Sequence, residues 1–331
     1  MNDTVNGRIL GCLTGGAAGD ALGYAVEFSR YDDIIRKYGE NGITEYPCAK
    51  ALISDDTQMT LFTAEGLLIK DGEKKNNIYK SYLNWLKTQN CSFEEYEGGG
   101  DSFLMTKKEL FARRAPGFTC LTALASQKAG STDNPINNSK GCGGIMRVAP
   151  IAFLQAPPEE TDSLAAEASA ITHGHNLGFL PSALLVHIIH RAIFENGREM
   201  RLKEIVTRSI EEIRPQFGAY GCFDDMISLA EKAVSFSENG RSDIENITEL
   251  GEGWVAEETL AVALYCSLRY EDDFSKVLTA AVNHNGDSDS TGAVAGNITG
   301  AWLGDTAIDP RWKSGLECYD IIKSTAEKFY I

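Results

Sequence analysis

The chain has 331 residues, 43% of them hydrophobic, which is enough to bury a sizeable core. Its formal net charge of -16 at pH 7 argues against nucleic acid as a non-specific partner and is compatible with cation binding. No Pro- or Ser-rich linker, low-complexity run or clear internal repeat divides the sequence, so we predict one large domain over residues 1–331.

Helical periodicity dominates the chain, and the first predicted helix, residues 5–25, is unusually rich in glycine and alanine. Glycine lowers helix propensity, so such a helix is tolerable where another backbone packs closely against it. Further helices are predicted at 56–70, 76–88, 105–113, 162–172, 179–196, 201–213, 222–237, 255–268, 273–283, 290–303 and 315–328. Few stretches alternate like strands, and only residues 42–48 suggest an extended segment. We therefore predict an all-α, compact helical bundle.

Two long segments, 40–54 and 114–144, are rich in Gly, Pro and Asn and show little periodicity. Loops of more than about 12–15 residues without their own structure tend to be functional or disordered. Both segments lead into the motifs described below, which favours functional loops.

The eight cysteines are scattered without a C-x-x-C pair, and several lie in apolar helical stretches. This pattern is typical of reduced, mostly buried thiols in a cytosolic protein, and argues against a disulfide frame or a zinc site. The N-terminus shows no basic region followed by an apolar one, and no stretch approaches the ~18 apolar residues of a membrane span. We expect a cytoplasmic protein without a membrane partner.

Two acidic clusters with hydroxyl neighbours lie near opposite ends of the chain, at Ser54-Asp55-Asp56-Thr57 and at Asp287-Ser288-Asp289-Ser290-Thr291. Each leads directly into an apolar helical stretch, so each is able to act as a helix N-cap. A cap needs only one such residue, however, and like charges this close repel each other unless a cation lies between them. Oxygen ligands suit a hard cation such as Mg²⁺ or Mn²⁺. The pair of clusters therefore favours one metal site assembled from both ends of the fold.

The clusters belong to an ordered set of motifs that covers nearly the whole chain. The set comprises GDALG at 19–23 with Glu27, SDDTQM at 54–59, TAEG at 63–66, GCGGIMRVAP at 141–150, Thr172-His173, GWVAEE at 253–258 and GDSDSTGAVAGNITGAWLG at 286–304. On these motifs the sequence resembles the ADP-ribosylglycohydrolase family, which includes the dinitrogenase reductase-activating glycohydrolase and the ADP-ribosylarginine hydrolases. One SDDT motif would be weak evidence, whereas the ordered set is highly specific.

The resemblance implies a cleft that holds two Mg²⁺ or Mn²⁺ ions between the two clusters. The matching ligand positions in this chain are Ser54, Asp55, Asp56, Asp287, Asp289 and Ser290. Glu27 occupies the position of the family's metal-gating, catalytic glutamate. A lone acid is by default a surface residue, but the residues before Glu27 are mostly apolar and suggest a partly buried place.

The small-residue loop Ser139-Lys140-Gly141-Cys142-Gly143-Gly144 precedes an apolar helix predicted to start near Ile145. Glycines allow close backbone approach to a ligand, and a helix N-terminus favours phosphate oxygens, although most such loops are simple turns. The resemblance implies that this loop holds the diphosphate and ribose of ADP-ribose. Several relatives have Asn where this chain has Cys142, so a side-chain amide contact is lost or supplied by the backbone. Lys140 is either a phosphate counter-charge or a solvated side chain.

His173 follows Thr172 at a predicted helix end, where a lone histidine is more often a C-cap partner than a catalyst. The resemblance implies that His173 contacts the ligand in the ADP-ribose cleft. Trp254 lies in the segment that the family places near the adenine, and an anchoring aromatic in the core is the alternative.

The resemblance implies hydrolysis at C1″ of the distal ribose, through an oxocarbenium-like transition state, to release ADP-ribose from an ADP-ribosylated protein. The ions would orient the ribose hydroxyls and bind a water with a lowered pKa, and Glu27 would act as general acid or base. The SDDTQM form looks closer to the arginine-directed bacterial relatives than to the serine-directed ones. The alternatives are another linkage such as serine or O-acetyl-ADP-ribose, a non-catalytic ADP-ribose-binding or structural protein, and a two-metal phosphoesterase.

Overall fold

The computed structural model describes residues 2–98, 101–195 and 200–331. Within these residues the protein has fifteen α-helices and no β-strand, apart from isolated bridges between Ala51 and Leu316 and between Gly141 and Val255. The helices are α1 (Asn2–Tyr24), α2 (Tyr31–Tyr38), α3 (Asp55–Leu68), α4 (Lys74–Asn90), α5 (Phe118–Ala125), α6 (Pro158–Ala170), α7 (Asn176–Phe194), α8 (Leu202–Glu212), α9 (Arg214–Phe217), α10 (Phe223–Phe236), α11 (Asp243–Leu250), α12 (Ala256–Arg269), α13 (Phe274–Val282), α14 (Ser288–Leu303) and α15 (Tyr319–Glu327). The predicted all-α class is confirmed.

Most predicted helices are present with ends shifted by a few residues, but the 105–113 helix was wrong. That segment forms two short 3₁₀ turns, Leu104–Thr106 and Lys108–Leu110, separated by an extended Lys107. The buried carboxylate of Glu65 accepts hydrogen bonds from the Leu104 amide at 3.0 Å and from the Ser102 hydroxyl at 2.8 Å. A partner on α3 therefore satisfies a backbone amide at the start of the segment, where local propensity alone favoured a continuous helix.

Residues 42–48, suggested as an extended segment, form neither a helix nor a strand. Two further local predictions were wrong. The segment 114–144 contains α5 and so is not a continuous loop. The apolar run predicted to become a helix near Ile145 forms a turn followed by the 3₁₀ segment Ala149–Phe153, because Pro150 and the preceding glycines interrupt α-helical pairing. Position 196, the predicted end of the helix at 179–196, lies outside the described residues.

The centre of the fold is the contact between α1 and α14, which run antiparallel at very short distance. A Cβ atom on any of the facing glycines would overlap a backbone carbonyl of the other helix. These glycines are Gly11, Gly15 and Gly19 on α1 and Gly300, Gly296 and Gly292 on α14. Gly23 similarly faces Ser288. The predicted close approach of another backbone is confirmed, and it brings the C-terminal end of α1 beside the N-terminus of α14, where the second acidic cluster lies.

Helix α7 is long and apolar enough to cross a membrane by length and composition, so the expectation that no stretch reaches that length was wrong. In the fold, 89% of its apolar window is buried among the other helices, as in the core helix of a globular protein. All eight cysteines are free, as predicted, but only Cys12, Cys120 and Cys266 are buried, while Cys48 and Cys222 are exposed. The prediction of mostly buried thiols was therefore wrong.

Candidate active site

The first acidic cluster forms the N-terminus of α3 and is fixed there by Asp20 of α1. Ser54 is the N-cap, and its hydroxyl accepts a hydrogen bond from the Asp56 amide at 3.1 Å. The fully buried Asp20 carboxylate accepts from the Ser54 amide at 3.0 Å, from the Thr57 amide at 3.1 Å and from the Thr57 hydroxyl. Because Ser54 and Asp20 satisfy the helix end, the side chains of Asp55 and Asp56 are not needed as caps.

The second cluster forms the N-terminus of α14. Asp287 is the N-cap, and its Oδ1 accepts from the Ser290 amide at 3.2 Å. Its other oxygen, Oδ2, accepts from the Cys142 thiol at 2.7 Å, which joins this cluster to the glycine loop. Asp289 follows within the first turn, and Asp287, Asp289 and Ser290 are all buried. The helix N-termini of α3 and α14 therefore present acids to the same region of the protein.

Glu27 lies beyond the end of α1, between the two clusters. Its side chain is buried, and Oε2 has no hydrogen-bond partner. Burial, reinforced by the negative charges of Asp287 and Asp55, raises the pKa of Glu27 to about 8. The sequence-based expectation of a partly buried glutamate at this position agrees with the structure.

Six buried carboxylates thus crowd together: Asp20, Glu27, Asp55, Asp56, Asp287 and Asp289. Burial is the main cause of the raised pKa values among them. It raises the pKa of Asp55 to about 8 and that of Asp20 to about 6, although hydrogen-bond donors to Asp20 oppose the effect. It also raises the pKa of Asp56 and of Asp289 well above the usual range, with further increments from neighbouring acids. Among the described residues none of these acids forms an ion pair, since nearby Arg114 pairs with Glu317 at 3.2 Å. The group is therefore short of positive charge.

This donor set fits a hard divalent cation. Asp56 Oδ2 and Glu27 Oε2 are buried without a hydrogen-bond partner, which is costly unless an ion or water completes them. In the described residues no three Asp, Glu, His or Cys side chains surround one point closely enough to hold an ion by themselves. A hard cation takes six or more oxygens, so serine hydroxyls, water and ligand oxygens would complete the shell.

The acids open into a cleft of about 190 Å³. Most of the predicted site residues line it, namely Glu27, Asp55, Asp56, Gly141, Cys142, Gly143, His173, Asp287, Asp289 and Ser290. The three that do not are Ser54, Ser139 and Lys140. Ser54 caps α3, the Ser139 hydroxyl accepts from the Gly141 amide at 3.3 Å, and the Lys140 ammonium pairs with Glu257. Larger cavities of about 600 and 970 Å³ lie elsewhere, and none of the polar groups lining them is both buried and unpartnered.

The glycine loop packs directly on His173 at one side of the cleft. A Cβ atom on Gly143 would lie 3.0 Å from His173 Cε1 and 2.8 Å from Cys120 Sγ, so only glycine fits there without displacement. Backbone hydrogen bonds from the Cys142 amide to the Trp254 carbonyl and from the Ala256 amide to the Lys140 carbonyl hold the loop on the opposite wall. The loop is thus held between the residues before α7 and those before α12.

Exposed aromatic side chains lie at the edge of this cleft. Phe28 follows Glu27 and is 76% exposed, and its ring stacks on Trp254 with centroids 6.2 Å apart. Phe118 at the start of α5 lines the cleft and is 80% exposed. Of the two alternatives for Trp254, the cleft position agrees with the structure and burial in the core does not. Exposed aromatics next to a polar cleft are typical of ligand-binding surfaces.

The sequence model of the ADP-ribosylglycohydrolase family matches residues 1–331. The chain belongs to this family. An ADP-ribosylhydrolase ARH3 from Bos taurus is 23% identical and aligns with 95% of this chain and 89% of its own length. An ADP-ribosyl-[dinitrogen reductase] glycohydrolase from Rhodospirillum rubrum is 26% identical and aligns with 95% of this chain and 92% of its own length. A solved ADP-ribosylglycohydrolase-related protein complex has the same fold, with a TM-score of 0.70 at 24% identity over 99% of this chain and 98% of that one.

Two residues of this family member's site carry no assigned role in the sequence reasoning. In the sequence Asp20 stands only as part of the GDALG motif, and its position as an acid within a run of Gly and Ala is the signal that could have identified it. The structure shows that it is buried and accepts from the Ser54 amide. Arg147 follows the glycine loop and is completely buried beside His173 and Cys120, and no spacing in the sequence predicts that contact.

Proposed function

We propose that this chain is a metal-dependent hydrolase that releases ADP-ribose from an ADP-ribosylated protein, with arginine as the carrier residue. The observation that carries the proposal is the convergence of five buried acids, with unpartnered oxygens on Asp56 and Glu27, in one cleft of an ADP-ribosylglycohydrolase-family fold. A non-catalytic relative would have no evident reason to keep this destabilising arrangement.

The residues that would hold two Mg²⁺ or Mn²⁺ ions are Asp55, Asp56, Asp287, Asp289 and Ser290, with Ser54 as a further oxygen donor. When bound, the ions would supply positive charge for the distal ribose hydroxyls and would acidify water. The protein's own part is to keep these oxygens in place. Asp20 anchors the α3 N-terminus, the Gly117 amide donates to Asp55 Oδ2 at 3.1 Å, and the contact of α1 with α14 sets the spacing.

Glu27 is the group proposed to move a proton. Its Oε2 is buried without a protein partner, and burial raises the pKa of Glu27 in the metal-free protein. Burial therefore favours a carboxyl group that can hold a proton and pass it to a nearby atom. At C1″ the leaving nitrogen of arginine must be protonated as the bond to the ribose breaks, and water must lose a proton to complete hydrolysis. Glu27 can serve either transfer.

The glycine loop and His173 are proposed to bind the diphosphate and ribose of the ligand. Gly141, Cys142, Gly143 and His173 line the cleft next to the acids, so a ligand contacting them would place its distal ribose near the acidic clusters. Lys140 is paired with Glu257 and therefore contributes little as a phosphate counter-charge. The Gly141 and Cys142 amides already donate to Ser139 and Trp254, so His173 and the other backbone amides of the loop are the donors that the proposal requires.

Arginine is the proposed carrier because the mouth of the cleft suits a planar cation. Acidic side chains attract a guanidinium group, and the exposed rings of Phe28 and Trp254 offer faces on which it can stack. The relatives include both the Rhodospirillum rubrum glycohydrolase and several ARH3 proteins, at similar identity. The test below therefore compares release of ADP-ribose from different carrier residues directly.

The test uses purified protein, Mg²⁺ and four substrates: peptides ADP-ribosylated on arginine, peptides ADP-ribosylated on serine, O-acetyl-ADP-ribose, and ADP-ribose itself. Mass spectrometry identifies the products, and Asp56→Asn and Asp289→Asn serve as folded controls expected to lack turnover. We expect intact ADP-ribose, formed fastest from the arginine-linked peptide. Faster release from serine would overturn the carrier assignment. Binding without release would indicate a non-catalytic protein, and cleavage of the diphosphate would indicate a phosphoesterase.

A further inference from the structure

Arg147 is a buried cation without a carboxylate partner. Its side chain is completely buried, and among the described residues no Asp or Glu lies within ion-pair distance of it. The guanidinium stacks over the Tyr82 ring at 4.3 Å from the centroid and donates to Cys120 Sγ at 3.4 Å. Burying a guanidinium without a carboxylate partner costs folding free energy, so its hydrogen bonds and its ring contact must offset that cost.

The shortest of those contacts is to Thr172. Arg147 Nη2 donates to Thr172 Oγ1 at 2.6 Å, and the guanidinium has no acceptor atom, so the direction of this bond is fixed. The same hydroxyl oxygen lies 2.8 Å from His173 Nδ1, and Thr172 is completely buried. Among the described residues His173 Nδ1 is the only acceptor with which this hydroxyl forms a hydrogen bond, so its proton points to Nδ1 or remains unpaired.

This chain of bonds determines the protonation of the His173 ring. Because Nδ1 accepts from Thr172, a neutral ring carries its proton on Nε2. The ring stays neutral, since burial and then the charge of Arg147 lower the pKa of His173 to about 3. Nε2 forms no hydrogen bond to the described protein atoms and lies next to Gly141, where a Cβ atom would be 3.4 Å away, at the wall of the cleft.

We propose that Arg147 and Thr172 are positioning residues that hold His173 as its Nε2–H tautomer, so that the ring presents a hydrogen-bond donor to an acceptor oxygen of ADP-ribose. The tautomer part stands on the contacts of Arg147, Thr172 and His173 alone. The ligand part rests on the proposed function. A donor here is useful because five of the residues that line the cleft are acids, whose ionised carboxylates only accept hydrogen bonds and would repel a diphosphate.

The tautomer is tested without ligand or metal, by ¹⁵N NMR of the histidine ring nitrogens in the intact chain. His173→Gln assigns the signal among the five histidines of the sequence. We expect the parent protein to show protonated Nε2 and unprotonated Nδ1, Thr172→Ser to preserve this state, and Thr172→Val to populate the Nδ1–H form. Thr325→Val removes another buried threonine hydroxyl, which donates to the Ile321 carbonyl at 2.7 Å, and should leave the His173 signal unchanged. Protonated Nδ1 in the parent, or no change in Thr172→Val, would overturn the proposal.

The ligand part is tested by calorimetry with ADP-ribose. Thr172→Val should weaken binding by at least about twofold, because half of the histidine population would present the wrong nitrogen. Loss of the ring's orientation should bring the total to about tenfold, equivalent to about 1.4 kcal/mol. Thr172→Ser should bind like the parent. If the parent binds no ADP-ribose, the proposed function fails while the NMR result still decides the tautomer. If Thr172→Val shifts the tautomer but binds normally, His173 is not a ligand donor. Arg147→Met should reproduce the tautomer shift, and Thr172→Val decides the matter if that variant fails to fold.

Discussion

Replacing Asp56 by Asn should stabilise the metal-free protein and remove its stabilisation by Mg²⁺. Asp56 is 2% exposed, its Oδ2 has no partner, and burial followed by the charges of Asp20 and Asp55 raises its pKa. An amide of the same shape cannot ionise, so it removes the cost that the metal-free fold bears either for ionising the buried carboxyl group or for holding it protonated. The same change deletes one anionic ligand, so an ion would bind much less tightly.

The size of both effects follows from general values and the chain length. An unfolding entropy of about 2.1 cal/mol/K per residue gives roughly 0.7 kcal/mol/K for 331 residues. An ion at a hundredfold excess over its Kd adds about 2.7 kcal/mol, which corresponds to about 4 °C in Tm for each ion. Relief of the unpaired carboxylate is worth about 1–3 kcal/mol, so metal-free Asp56→Asn should melt roughly 1.5–4 °C above the parent.

Differential scanning calorimetry of parent and variant, in chelator and in saturating Mg²⁺, measures both changes. Asp162→Asn is the matched control, because Asp162 is equally buried but lies outside the cleft and is 2.7 Å from His187 Nδ1. That variant should lose stability in both buffers and keep the parent's Mg²⁺ response. An Asp56→Asn protein that melts below the parent in chelator and still responds fully to Mg²⁺ would refute the reasoning.

Three further predictions concern the chemistry of the cleft. Glu27→Gln keeps the side-chain shape and removes its charge, so ADP-ribose affinity should stay near the parent's while turnover falls about 10²–10⁴-fold; calorimetry beside a turnover assay checks this, and near-normal turnover would contradict it. The pKa values of Glu27 and Asp55 are each raised to about 8 in the fold, so the folded state binds more protons than the unfolded state over about pH 4–8. The stability that these groups contribute is therefore present at low pH and is lost as pH rises to about 8. The metal-free Tm should decline over this range more steeply than the Mg²⁺-bound Tm, and parallel profiles would argue against it. Phe28→Ala and Trp254→Ala should raise KM for an arginine-linked peptide about two- to fivefold, because stacking with the guanidinium is lost. Tyr330 is an exposed aromatic outside the cleft, so Tyr330→Ala should leave KM unchanged. An equal rise of KM for serine-linked peptides would remove the basis for arginine selection.

The features that the sequence predicted well depend on local composition and short motifs. The high glycine and alanine content of the first helix indicated a closely packed helix, and acid–hydroxyl clusters before apolar stretches indicated helix N-termini with surplus ligands. The failures occurred where a distant side chain decides the local conformation. The 105–113 segment has helical periodicity, but Glu65 binds the Leu104 amide and holds it in short turns.

The site shows the same division between local pattern and tertiary contact. Each acidic cluster was recognisable alone, whereas Asp20 as the anchor of α3 and Arg147 as the partner of Thr172 depend on contacts between different helices. These supporting residues explain why the acids can remain buried without a partner. Asp20 satisfies the α3 amides, so Asp55 and Asp56 are left unused by the fold, and the α1–α14 contact prevents the two helix ends from separating to relieve repulsion. The fold therefore keeps a concentration of buried acids that must be neutralised, either by protons or by a cation. Because only a cation would do so without protonating the carboxylates, the change of stability on adding Mg²⁺ is the most direct measure of the proposed metal site.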